Sequence, residues 1–197
     1  TRQYVRTDQG WRERCVTLDE QDGLLFVPGP GGIDEAFLPP AAADAPQGAI
    51  FEVAPARSAL MQEVAQRVAE QSGAALFFDY GHLQPGLGDT LQAVRKHAYD
   101  DPLASPGEAD LTTHVDFSAL AADVRAAGLI PHLSTQGEFL IALGLLQRAG
   151  RLGSDAGEPV QNQLRQAVDR LAAPDKMGNL FKVLAFSSAS LKPAGFA

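Results

Sequence analysis

One cysteine stands among the 197 residues. Cys15 cannot close a disulfide within the chain, and the short β-prone run RERCVTL around it makes a half-buried structural thiol in a reducing compartment the expectation. Runs of Lys or Arg are missing as well. With 16 basic against 24 acidic residues the formal charge is −8, so no cationic stripe tracks a phosphate backbone, and a cationic protein suits this chain better than nucleic acid. The strongest apolar run, FLIALGLL from Phe139 to Leu146, falls far short of the roughly 20 residues that cross a bilayer, so no membrane insertion is expected. No secretory signal opens the chain, which begins directly in strand-like sequence at Thr1 and so reads as part of a larger protein.

Several chemistries lack their spacing. The four histidines, His82, His97, His114 and His132, never stand at i, i+4, where two imidazoles would share a helix face, so no metal site is expected. No G-x-S-x-G turn presents a nucleophilic serine. Gly29, Gly31 and Gly32 run into prolines instead of a helix N-terminus, which removes the context a phosphate-cradling loop requires. No internal repeat is visible.

What remains is an ordinary globular composition, 45% hydrophobic and 20% charged, enough for one domain with a substantial core. RQYVRT, WRERCVTL and LLFVPG predict a β-meander, with positive φ expected at Gly10 and Gly23, and Pro28 to Gly48 reads as an irregular surface loop. Leu60, Met61, Val64 and Val68 recur at helical spacing after Ser58 as expected N-cap, and Gly73 follows the end. The unbroken apolar run Ala74 to Phe78 predicts an inner strand buried on both faces, with Asp79 at its carboxyl end, where open α/β sheets bind ligands. A β-like run spans Thr90 to Tyr99, and a helix covers Phe117 to Ala127, stopped by Gly128. Strand LIPHLS then leads into a helix from Gln136 to Ala149, with Thr135 and Glu138 spaced as a capping box. An amphipathic helix carries Val160, Leu164, Val168 and Leu171, and a last strand runs from Leu180 to Ser187. The expected organisation is α/β, with a meander and loop over 1–48 and the main domain over 49–197.

Polar groups gather at Asp79 to His82, Glu108 to Asp116 and Thr135 to Glu138, each near a strand-to-helix junction, so they could converge on one sheet edge. Each has a structural reading beside the functional one: Asp116 as N-cap of the helix that follows, Asp110 in an Asx-turn, Thr135 and Glu138 as a capping box.

DYGH, the segment GDTLQAVRKHAYDDPLASPGEADLTTHVDFSAL, TQGEFLIALG, KMGNLFKVLAFS and FEVAP, in this order except that FEVAP comes first, resemble the MidA-like family of S-adenosylmethionine-dependent methyltransferases over nearly the whole chain. The resemblance implies the C-terminal part of a Rossmann-like class I sheet with an inserted β-meander and extra helices, with the main motif for the cofactor S-adenosylmethionine upstream of Thr1. Mitochondrial members of the family methylate an arginine on a subunit of respiratory complex I, so it implies a protein substrate, a mitochondrial matrix location in a eukaryote and a cytoplasmic one in a bacterium, and a homodimer is a possible assembly. A guanidinium stays protonated up to pH of roughly 12, so carboxylates must hold its planar fork and take up its charge. Asp79, Asp110 and Asp116 are the acids expected there and His82 the proton acceptor, with Tyr80, Thr112, His114 and Gln136 orienting the substrate. Two other classes stay open: a binding or assembly module without turnover, and a metal-dependent hydrolase.

Overall fold

The computed structural model describes residues 1–188 and 193–196. Its opening is the antiparallel meander: β1 (Arg2–Thr7), β2 (Gly10–Leu18) and β3 (Leu24–Gly32). Gly10 takes positive φ at the first turn. At the second turn Asp22, not Gly23, takes it, because the Asp19 carboxylate accepts from the N–H groups of Gln21 and Gly23 and wraps the turn around itself. The expected loop starts later than its sequence implies, since Pro28 to Gly32 continue β3. That strand lies at the sheet edge, where a proline's missing N–H costs no ladder bond. Short 3-10 turns at Glu35–Phe37 and Pro40–Ala42 follow, and β4 (Ile50–Val53) pairs with β1.

Helix α1 (Pro55–Gln71) begins three residues before the expected cap, because Pro55 presets the first-turn φ and gives up an N–H that would be unpaired there anyway. Met61, Ala65 and Val68 are its buried stripe, while Leu60 is exposed. β5 (Ala74–His82) carries the whole of AALFFDYGH. Its burial alternates, contrary to the expectation from the apolar run: Leu76 is 52% and Phe78 42% exposed. One face, with Ala75 and Phe77, packs on the core, and the other is covered at Phe78 by the edge of Phe139.

The run expected as one strand is a hairpin, β6 (Gln92–Arg95) and β7 (Ala98–Asp100), turned by Lys96 and His97, both at positive φ. β8 (Asp110–Thr112) pairs with β6, and β9 (Val115–Asp116) runs parallel to the end of β5. α2 (Phe117–Ala126) stops before Gly128, at φ +78°. β10 (His132–Thr135) leads through the predicted capping box into α3 (Gln136–Ala142). The single helix expected to Ala149 breaks at Gly144, in the left-handed region, and restarts as α4 (Leu145–Gly153). α5 (Glu158–Ala172), α6 (Met177–Leu180) and β11 (Phe181–Ser187) complete the order.

The architecture is α/β, with sheets ordered β3-β2-β1-β4, β10-β11-β5-β9 and β7-β6-β8. Two compact units divide the chain, Thr1–Ala56 with Pro85–His114, and Arg57–Gln84 with Val115–Ala197. The first is built around Tyr4, Trp11, Ala42 and Phe51. The second encloses α1 and α2 against β11 through Met61, Phe117, Leu120, Val124, Leu184 and Phe186. Removing a side chain such as Phe186 fully from water contributes about 1.5–3 kcal/mol.

Candidate active site

In the second unit the polar ending of β5 meets β9. Gly81 pairs with Val115 and His82 with Asp116. A Cβ at Gly81 would sit 2.1 Å from the Val115 carbonyl oxygen, so only glycine lets the two backbones close here. That approach brings His82 Nδ1 to 3.9 Å from Asp116 Oδ1. Nδ1 is also 2.7 Å from the Gln84 carbonyl oxygen. A carbonyl only accepts, so Nδ1 carries the hydrogen of this bond, and Nε2 is the ring nitrogen left to exchange a proton.

Asp116 divides its two oxygens. Oδ1 caps α2, accepting from Ser118 N at 2.9 Å, from Ala119 N at 3.1 Å and from the Ser118 hydroxyl. Oδ2 has no hydrogen bond among the described residues. Asp79 does likewise: Oδ1 accepts from Tyr80 N at 2.8 Å, and its second oxygen has no hydrogen bond among the described residues. Tyr80 packs edge-on against Phe181, their centroids 5.7 Å apart. Across the ladder from Asp79 stands Lys182, a residue the sequence reading passed over. Its ammonium donates to the carbonyls of Asn179 and Leu180, and burial holds its pKa below the usual lysine value. Only the pairing of β5 with β11 brings it there. Gln136 is buried, with Nε2 donating to Leu171 O at 2.8 Å, which ties the start of α3 to the end of α5.

The first unit holds the other three candidates. Asp110 and Thr112 alternate along β8 and so share one face, with Val94 and Gln92 opposite them on β6. Tyr99 lies on the same face, across Val94 in β7, and is 81% exposed. The sequence reading missed it because the hairpin that places it there was read as one strand. His114 Nε2 is 3.5 Å from Gln92 Nε2, and its backbone N–H donates to Thr90 Oγ1 at 2.9 Å.

A polar network in the same unit holds that threonine. Glu52 accepts from Thr90 N at 3.1 Å, from the Thr90 hydroxyl, and from Gln3 Nε2 at 2.6 Å. Asp89 accepts from the same Gln3 nitrogen at 2.8 Å and from Arg14 Nη1 at 2.6 Å, while the Arg14 guanidinium stacks over Phe26. Burial pulls the Asp89 pKa upward, but hydrogen bonds from Arg14 and Gln3, the Arg14 charge and the Leu91 N–H outweigh it, so the carboxyl lies below its ordinary range.

Among the described residues no group of three or more His, Cys, Asp or Glu side chains is clustered for a metal ion, and no helix is long and apolar enough to cross a membrane. The step from β4 into the 17-residue α1 passes through Ala54 into Pro55 and has no glycine loop that could cradle a nucleotide-like donor. At the end of β5, then, the His82 ring stands beside the Asp116 carboxylate, while Asp79 lies on the other face of the strand.

Residues 1–135 match a family model described as "Putative S-adenosyl-L-methionine-dependent methyltransferase". The chain is 40% identical over 188 residues to "Protein arginine methyltransferase NDUFAF7, mitochondrial" of Rattus norvegicus, and 39% identical to the protein of that name in Homo sapiens. Each alignment covers 92% of this chain but 42% and 41% of the relative, so the chain spans less than half the length of these curated relatives. Its fold superposes on an uncharacterised Burkholderia thailandensis protein with TM-score 0.82 and 30% identity, covering 99% of this chain and 54% of the other. A second crystal structure from that organism, bound to S-adenosyl-homocysteine, superposes with TM-score 0.79 and 29% identity, over 98% and 51%. With two thirds of its residues matched by that model, the chain belongs to this S-adenosyl-L-methionine-dependent methyltransferase family.

Proposed function

We propose that this chain forms the substrate side of an S-adenosylmethionine-dependent protein arginine methyltransferase. The observation that carries the reading is the β5–β9 junction, where Gly81 and Val115 close the backbones and bring His82 beside Asp116. A protonated guanidinium is a poor nucleophile with its electron pairs delocalised. The unpaired oxygen of Asp116 holds its fork and offsets its charge, with Asp79 a further acid on the other face of β5, and His82 Nε2 takes the proton released as the nitrogen becomes methylated. Nδ1, tied to the Gln84 carbonyl, keeps the ring in the tautomer that can do this. Tyr80 and Gln136 shape the same end of the second unit. Asp110, Thr112 and His114 belong to the first unit, where they remain candidates for orienting substrate.

S-adenosylmethionine, when bound, supplies an electrophilic methyl group. Its main cradle belongs to sequence outside residues 1–197, since these residues provide no glycine-rich strand–loop–helix for it. The names of the relatives support a protein substrate, and we extend this to a respiratory complex I subunit, with a matrix location in a eukaryote and a cytoplasmic one in a bacterium.

The test is transfer of labelled methyl from S-adenosylmethionine to a basic partner protein by the full protein. Transfer that is lost in His82→Gln and in Asp116→Asn, with unfolding temperatures unchanged, supports the assignment. Transfer at the wild-type rate in both variants removes the junction from catalysis. Stable partner binding with no labelled product makes the protein an assembly module instead.

A further inference from the structure

Tyr99 is the most exposed large hydrophobic side chain among the described residues, at 81%. It lies in the sheet β7-β6-β8, where Val94 of β6 pairs with Tyr99 on one side and with Asp110 on the other. Residues directly opposite in an antiparallel ladder share a face, so Tyr99, Val94 and Asp110 form a row across the three strands. Asp110 is exposed and Val94 half-buried. Among the described residues the Tyr99 ring has no ring partner, and the Asp110 carboxylate has no hydrogen bond or ion pair. An open ring face and an unpaired carboxylate both attract positive charge, and here they flank an apolar floor.

The spacing selects a guanidinium. Neighbouring strands lie about 4.8 Å apart, so Tyr99 and Asp110, one strand to either side of Val94, are about 10 Å apart at the backbone. A planar cation fits that gap with one face against the ring, its N–H edge toward the carboxylate and its methylenes over Val94. A lysine ammonium, compact and strongly hydrated, has no planar face to lay on the ring. The sheet's own arginine does not compete. Arg95 follows Val94 and so lies on the other face, with Nε 2.7 Å from Asp100 Oδ2 and Nη1 3.6 Å from Glu108 Oε2. The formal charge of −8 favours a basic partner as well. We propose that the row Tyr99, Val94, Asp110 is a docking site for an arginine side chain of a partner protein. The site rests on the proposed protein substrate only for the kind of partner, and it makes the bound arginine an anchor instead of the methyl acceptor.

Fluorescence anisotropy tests it, with a labelled peptide of alternating glycine and arginine titrated with the full chain in the absence of S-adenosylmethionine. The same peptide with citrulline, the neutral isostere of arginine, is the control and should bind at least roughly tenfold more weakly. Tyr99→Ala and Asp110→Asn should each weaken the arginine peptide by roughly fivefold with unfolding temperatures unchanged. Tyr99→Phe should keep the wild-type affinity, because the ring and not the hydroxyl makes the contact. Asp155→Asn, which removes an exposed acid of the second unit, should leave binding as it is. A wild type that does not bind the arginine peptide, equal affinity for the citrulline peptide, or binding indifferent to both Tyr99→Ala and Asp110→Asn overturns the proposal. Absent methyl transfer beside the expected binding results removes the proposed activity and leaves the docking site standing.

Discussion

In Asp116 a capping role leaves room for the proposed functional one. The sequence leaves N-cap and catalytic roles as rivals; in the structure one oxygen caps α2 and the other is left over. The two roles separate by substitution. Asparagine caps as well as aspartate, so Asp116→Asn should keep stability within about 0.5 kcal/mol, whereas Asp116→Ala should lose about 1 kcal/mol, both read by denaturant unfolding. Methyl transfer should fall in both, because both remove the charge. His82→Ala should slow transfer by roughly a hundredfold, measured as kcat with partner protein saturating, the usual size of a lost acid–base group. Gly81 is a harder constraint. A methyl there meets the Val115 backbone oxygen, which cannot swing aside, so Gly81→Ala should cost about 3 kcal/mol in unfolding free energy and part His82 from Asp116.

At the scale of elements, local chemistry was legible wherever it is self-contained. The capping box at Thr135 and Glu138, the stop at Gly128 and the start of β11 near Leu180 all depend on a few adjacent residues, and all form as their spacing dictates. Thr135→Ala should accordingly cost about 1 kcal/mol, checked by thermal unfolding. Elements that depend on distant partners were misread. The hairpin turn at Lys96 and His97 carries none of the usual Asn-Gly chemistry, and it is held by the pairing of β6 with β7 on one side and β8 on the other. Replacing Lys96 with Asn and His97 with Gly should relieve the left-handed strain and stabilise the first unit by roughly 1 kcal/mol. The apolar run of β5 promised burial on both faces, but a run of Ala, Leu and Phe cannot say which face receives a helix.

For the whole molecule, pH dependence follows from three carboxyls held below their ordinary values. In Asp89 the Arg14 and Gln3 hydrogen bonds outweigh burial, in Asp100 the leading cause is the Arg95 hydrogen bond, and in Glu138 it is the Thr135 hydroxyl. Their ordinary values are 3.8, 3.8 and 4.5, and each folded value lies lower. The unfolded chain therefore binds these protons more readily, so the stability they add is present in full above those values and is lost as pH falls through the folded ones. Lys182 acts at the other end: burial lowers it from 10.5, so its cost is full below the folded value and is relieved as pH rises toward 10.5. Unfolding midpoints should thus drop below about pH 4, and Asp89→Asn should flatten that acid limb. By itself the sequence determined the α/β class, the helix caps, the charge balance and the family, because these reside in composition, in spacing of a few residues, or in motifs kept in order. Tertiary structure alone decided that Gly81 closes on Val115, that Lys182 stands opposite Asp79, that Tyr99 shares a face with Asp110, and that the ring of His82 lies beside Asp116. Those relations join residues from 11 to more than 100 positions apart, and only strand pairing fixes which side chains share a face.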